Sequence, residues 1–235
     1  MKKNQLFQIL LPLMRYNLKV IFAGKFVWFF LAALGFFVFF MINNVWQGNL
    51  INEALMYEIL FFPGVLLIFY PSVYGIQNDE DARILEILFG IPNYRYKVWL
   101  FRLLMVYLIF FCFLVLFAWI GTFLLFPVPQ FEMAGQLMFP LLFLGNMAFM
   151  MSTWVRSGNA TAVIMIIVGI LMVVLTSAFG LKWWNITLNP FEVPENLHVV
   201  IWAGYLTKSR IFLAVGSVVF LLIGLLNLQK RERFV

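Results

Sequence analysis

Six long, unbroken apolar runs limit how this chain can fold more than any other feature of its sequence. They lie at about residues 26–46, 57–77, 98–126, 133–155, 160–180 and 210–228. A helix needs roughly 20 mostly apolar residues to cross the ~30 Å hydrocarbon layer of a bilayer, and each run meets or approaches that length. Hydrocarbon offers no partner to a backbone N–H or C=O, so a spanning segment must pair these groups internally. Continuous apolar runs do this as helices, whereas a membrane barrel would show short alternating strands. With 64% of its 235 residues hydrophobic and 11% charged, the chain carries more apolar surface than a water-soluble core can hide. The expected fold class is an all-α integral membrane protein with six transmembrane helices, a single transmembrane domain over 1–235.

Orientation follows from lysine and arginine, which concentrate on the cytoplasmic side. With the N-terminus inside, the inner segments hold Lys2, Lys3, Arg15, Lys19, Lys25, Arg83, Arg95, Lys97, Arg102, Arg156, Lys230, Arg231 and Arg233, which is 13 of the 16 basic residues. Only Lys182, Lys208 and Arg210 fall outside. Both termini are therefore expected in the cytoplasm. Trp28, Trp46, Trp99, Trp119, Trp154 and Trp183 fall near proposed span ends, where indoles favour the interface. The single Cys112 sits inside an apolar run, so it reads as a small packing hydrophobe and no disulfide framework exists.

Two segments flank the spans. Leu6, Leu10, Leu13, Asn17 and Val20 recur at helical spacing with Arg15 and Lys19 on another side, which predicts a basic amphipathic helix over 5–22 lying along the inner leaflet. This N-terminal stretch lacks a small-x-small cleavage site and reads as retained, not as a signal peptide. Residues 197–206 are apolar but too short to span, and Pro194-Glu195 upstream reads as a helix start. An interfacial or re-entrant segment on the outer face is expected over 181–208.

The exception to this oily composition is the stretch 78–97, NDEDARILEILFGIPNYRYK, which holds the only two aspartates, Asp79 and Asp81. Asn78 can cap a helix, and Asp79, Glu80 and Asp81 place negative charge at its positive end. Ile84, Ile87, Leu88 and Ile91 follow i, i+3, i+4, i+7, and Gly90 and Pro92 end the pattern. The spacing predicts a helix over 79–91 of about three turns, well short of a span. Two readings stay open on chemistry alone. The helix turns the chain around at the interface, or it is a rod whose exposed face docks into a groove on a soluble partner.

An acidic residue, then Leu85-Glu86, then Pro92 and Arg95 resembles the signature of ABC-2 type transporter permeases, which runs roughly acidic-x-x-Gly-Thr-Leu-Glu-x5-Pro-x-x-Arg between spans two and three. Arg83-Ile84 stands where the family has Gly-Thr. The amphipathic N-terminal helix, six spans, re-entrant outer segment and basic C-terminus also resemble that family. The resemblance implies a coupling helix that contacts a separate ATPase through Asp79, Glu80, Asp81, Arg83, Glu86 and Ile87. It further implies a bacterial cytoplasmic (inner) membrane location, a second permease subunit, identical or paralogous, two ATPase subunits, and export. The chain has no GxxxxGK[ST] phosphate loop, so ATP and Mg are expected on the partner and no cofactor on this chain.

Other chemistry is weaker. The Asp79-Glu80-Asp81 cluster invites a metal-dependent lipid-modifying enzyme, but such ions recruit further acidic ligands and the chain has no other aspartate. The lone His198 falls short of a metal-ligand set. Proposed span interiors offer no ionisable group to bind a coupling ion, with Arg102 close enough to an end to snorkel, which favours energy from outside the bilayer. Tyr70 and Tyr74 beside Pro71, and Asn146 in the fourth span, are candidates for a pathway or gate, with interhelical contact as the plainer reading. A non-transporting scaffold or immunity/sensor subunit would use the same helix to anchor a soluble partner. Membrane lipid is an expected partner and nucleic acid is not.

Overall fold

The protein is described by a computed structural model over residues 26–81, 95–155, 157–179, 183–194 and 197–228. The expected helix over 5–22, most of the expected helix over 79–91 and the basic C-terminus lie outside these residues. Six long helices form the structure: α1 (Phe26–Trp46), α2 (Glu53–Asp81), α3 (Phe101–Leu124), α4 (Gln130–Val155), α5 (Gly158–Phe179) and α6 (Val199–Asn227). A π-helical turn, Arg95–Leu100, leads into α3. No strand occurs among the described residues, and all six helices contain a stretch long and apolar enough to cross a membrane. The chain is a multi-pass, all-α membrane protein.

Local chemistry sets the helix ends. After α1, Gly48 adopts the left-handed conformation at φ 68°, which costs a residue without Cβ little. Asn52 then starts α2 by accepting the Leu55 N–H at 2.8 Å on its side-chain oxygen. Pro127 and Pro129 prevent α3 from running into α4. His198 Nδ1 accepts the Val200 N–H at 3.4 Å and opens α6.

α4 is the central helix. Gly64 and Gly145 let α2 and α4 approach closely: a Cβ at Gly64 would stand 2.8 Å from Leu141, and one at Gly145 would stand 2.7 Å from Ile68. Small residues serve this role in bilayers because lipid tails are as apolar as leucine, so close van der Waals contact must drive association. The α4–α6 seam is tied by polar pairs at three heights. Arg210 bonds Gln136, Asn146 bonds Ser217, and Asn227 bonds Thr153. Both helices' numbers rise together down the seam, so α4 and α6 run parallel, and Gly64–Leu141 with Ile68–Gly145 makes α2 parallel to both. The ends of α2, α4 and α6 and the starts of α3 and α5 therefore share one membrane face, termed the inner face because the charge pattern predicts it to be cytoplasmic.

Four expectations change. Residues 197–206 are not a separate interfacial helix but the first part of the 29-residue α6. Lys208 and Arg210 are good helix formers, so the apolar-to-charged boundary is not a helix boundary. Asn78 does not open a new helix: α2 runs through it to Asp81, and its Nδ2 donates to Tyr70 Oη at 3.2 Å. Trp99 lies at the start of its span as expected but faces protein instead of lipid: it is buried, packed on Phe149 with the Arg102 guanidinium 4.8 Å above its ring. Cys112 is exposed on the outer surface of α3, where lipid would meet it.

Candidate functional site

Helix α2 carries the acidic turn at its inner end and a cavity wall in its middle. Asp79, Glu80 and Asp81 form its last turn. Arg83, Glu86 and Ile87 lie outside the described residues. Just before that turn, α2 is latched to the start of α5. Gln77 Oε1 accepts the Gly158 N–H at 2.6 Å, and the Tyr74 hydroxyl donates to Asn159 Oδ1 at 3.2 Å. Tyr70 and Tyr74, one turn apart, stack at 5.4 Å, and Phe29 of α1 packs on Tyr70 at 5.0 Å. These two tyrosines are thus brought together with Asn78 in one junction between α1, α2 and α5.

Asn146 serves a different junction. Its Oδ1 accepts from the Tyr107 hydroxyl and its Nδ2 donates to Ser217 Oγ at 2.7 Å, so it joins α3, α4 and α6 with both amide groups engaged. Its burial and paired hydrogen bonds are what interhelical contact requires.

Two apolar cavities lie between α2, α4 and α5. The first, about 370 Å³, is lined by Ile68, Phe69, Gly145, Met165, Gly169 and Ile170, among others. The second, about 360 Å³, shares Val65, Leu144, Gly169 and Val173 with it and continues to Thr176, Trp184, Asn185 and Thr187. Tyr70, Tyr74 and Asn146 line neither. The two cavities lie next to each other along the α5 side of α2, from its middle toward its outer turns. They are bounded by a helix whose far end bears the acidic turn, about 18 Å along the axis from Phe69 to Asp81.

A polar cluster at the outer end was not evident from the sequence. Arg210, 8% exposed, donates from Nε to Gln136 Oε1 at 2.9 Å and from Nη2 to the Leu188 carbonyl at 3.4 Å, and its guanidinium lies 5.5 Å from the Phe139 ring. It lies beside the buried Tyr57. Asn189 Nδ2 donates to the Ala54 carbonyl at 2.9 Å, binding the outer loop to α2. Arg210 is the twelfth residue of α6; it lies near the outer end of its span, as expected, but faces inward. Its helical register with Trp202, Leu213 and Ser217, all buried, is the signal that places it on the inward stripe. Among the described residues no group of three or more His, Cys, Asp and Glu side chains converges.

No family model, curated protein or solved structure matches this chain.

Proposed function

We propose that this chain is the membrane subunit of an ATP-driven transporter of ABC-2 type, moving substrate outward while a separate ATPase supplies the energy. One observation carries most weight: α2 is continuous from the outer loop to Asp81, so the helix walling the apolar cavities is the one bearing the acidic turn. A push on that turn reaches the cavity wall along a single rod. The Gln77–Gly158 and Tyr74–Asn159 bonds pass it to α5, which forms the opposite wall. Asp79, Glu80 and Asp81, with Arg83, Glu86 and Ile87 beyond them, are assigned the contact with the ATPase. Two ATPases and a second permease subunit complete the assembly, and ATP and Mg are held by the ATPases.

The cavity lining favours an apolar or amphipathic substrate. It is almost wholly hydrocarbon until Thr176, Asn185 and Thr187 at its outer end. Arg210, a buried cation at the outer end, is held by Gln136 and a backbone carbonyl, an arrangement suited to fixing helices and not to shuttling a coupling ion.

The test is purification of the tagged chain from native membranes in mild detergent. Recovery of a Walker-A ATPase whose turnover responds to this subunit supports the reading. A soluble partner with no nucleotide site supports a scaffold instead, and recovery of no nucleotide-binding partner overturns the transporter.

A further inference from the structure

A groove on the lipid-facing side of α6 has one cation at its outer end. Lys208, Ile211, Phe212, Val215 and Val219 fall at i, i+3, i+4, i+7 and i+11, which is one helical stripe, and Trp183 stands beside it with its ring edge-on to Phe212 at 5.4 Å. The space they enclose is about 500 Å³. Ile211 and Val215 are exposed, as is Lys208, and among the described residues nothing pairs with the ammonium group.

The height of Lys208 follows from the α4–α6 ties. Asn227 is held by Thr153 near the inner end of α4, and Lys208 to Asn227 spans about 20 residues, roughly 30 Å, the thickness of the hydrocarbon layer. Lys208 therefore stands at headgroup level on the outer face. From Lys208 to Val219 the stripe runs about 16 Å, which is the depth of one leaflet. A cation with no partner among the described residues, at headgroup height above one leaflet's length of apolar groove, is complementary to an anionic phospholipid. Its phosphate pairs with the ammonium, and an acyl chain lies against Val215 and Val219 beneath the Trp183 indole.

We propose that this groove is a binding site for one anionic phospholipid of the outer leaflet. The inference rests on the six-helix fold and on the sidedness expected from the charge distribution, and stands whether or not the chain is a transporter subunit.

The test uses the purified full chain in detergent, mixed with phosphatidylglycerol or phosphatidylcholine of matched acyl chains and read by native mass spectrometry. The wild type is expected to retain one phosphatidylglycerol about fivefold over phosphatidylcholine, as one basic residue near anionic headgroups provides. Lys208→Gln should level that preference, Lys208→Arg should keep it, and Val215→Trp should reduce retention of both lipids, with circular dichroism confirming helix content. Equal retention of the two lipids by the wild type overturns the site, as does an undiminished preference in Lys208→Gln. A lipid-free dimer, with the second copy on this stripe, overturns it as well.

Discussion

Gln77 and Gly158, on different helices, are joined by a 2.6 Å hydrogen bond from the Gly158 N–H to Gln77 Oε1. An N-terminal amide of a helix has no intrahelical partner, so α5 depends on α2 to satisfy this one. One turn from the acidic end of α2, the bond makes the start of α5 sensitive to where α2 stands.

Replacing Gln77 by leucine leaves that amide without its partner, a loss of about 1 kcal/mol. Amide exchange over Gly158–Thr161 should quicken about fivefold, with exchange in α4 unchanged, as read by hydrogen–deuterium exchange mass spectrometry. Unchanged exchange at these amides would show that the latch is not formed.

Two glycines facing the same cavity separate packing from passage. A Cβ at Gly145 would meet Ile68 at 2.7 Å, whereas one at Gly169 has nothing within 4 Å. Gly145→Leu should cost about 1–3 kcal/mol through overpacking of the α2–α4 seam. Gly169→Leu should leave the thermal midpoint within a few degrees of wild type while narrowing the cavity. Thermal unfolding of the two variants in the same detergent measures the contrast.

Removing Asn146 leaves both the Tyr107 hydroxyl and Ser217 Oγ without the amide that joins them. Interhelical hydrogen bonds in bilayers are modest, so Asn146→Ala should cost about 1–2 kcal/mol. A double-mutant cycle with Ser217→Ala should give a coupling well above zero, because each single change already breaks the shared bond.

Arg210 should be more sensitive. Arg210→Ala removes the guanidinium from Gln136 and the Leu188 carbonyl at once, and a loss of about 3 kcal/mol is expected. Arg210→Met with Gln136→Leu replaces both polar partners by apolar groups of similar size and should recover much of that loss. Resistance to denaturation by detergent, compared across the three proteins, tests the ordering.

The spans were legible because hydrocarbon imposes a single rule on every residue of a crossing segment. The α1 bounds at Phe26 and Trp46 coincide with the apolar run, and those of α3, α4 and α5 lie within three residues of it. The sequence was less informative where a helix outruns the bilayer. At Asn78 and at Leu206–Arg210 the composition changes but no glycine or proline interrupts the helix, so α2 and α6 continue through polar residues. Inward-facing Arg210 and Trp99 were hidden for another reason: their type suggests an interface, and only helical register against neighbouring helices reveals burial. Tyr70, Tyr74 and Asn146, candidates by polarity for a pathway or for interhelical contact, hold junctions between helices, while the cavities are lined by apolar side chains that no pattern distinguishes from core.

In the proposed transporter the stretch beyond α2 receives force from an ATPase. Capture of that ATPase by the tagged chain, compared between wild type and Ile87→Lys, tests it most directly, with Leu50→Lys in the outer loop as control. Wild type and Leu50→Lys are expected to recover equal amounts of ATPase, and Ile87→Lys to lose at least nine-tenths of it, roughly the tenfold change that about 1.4 kcal/mol produces. Equal recovery by all three proteins would contradict it.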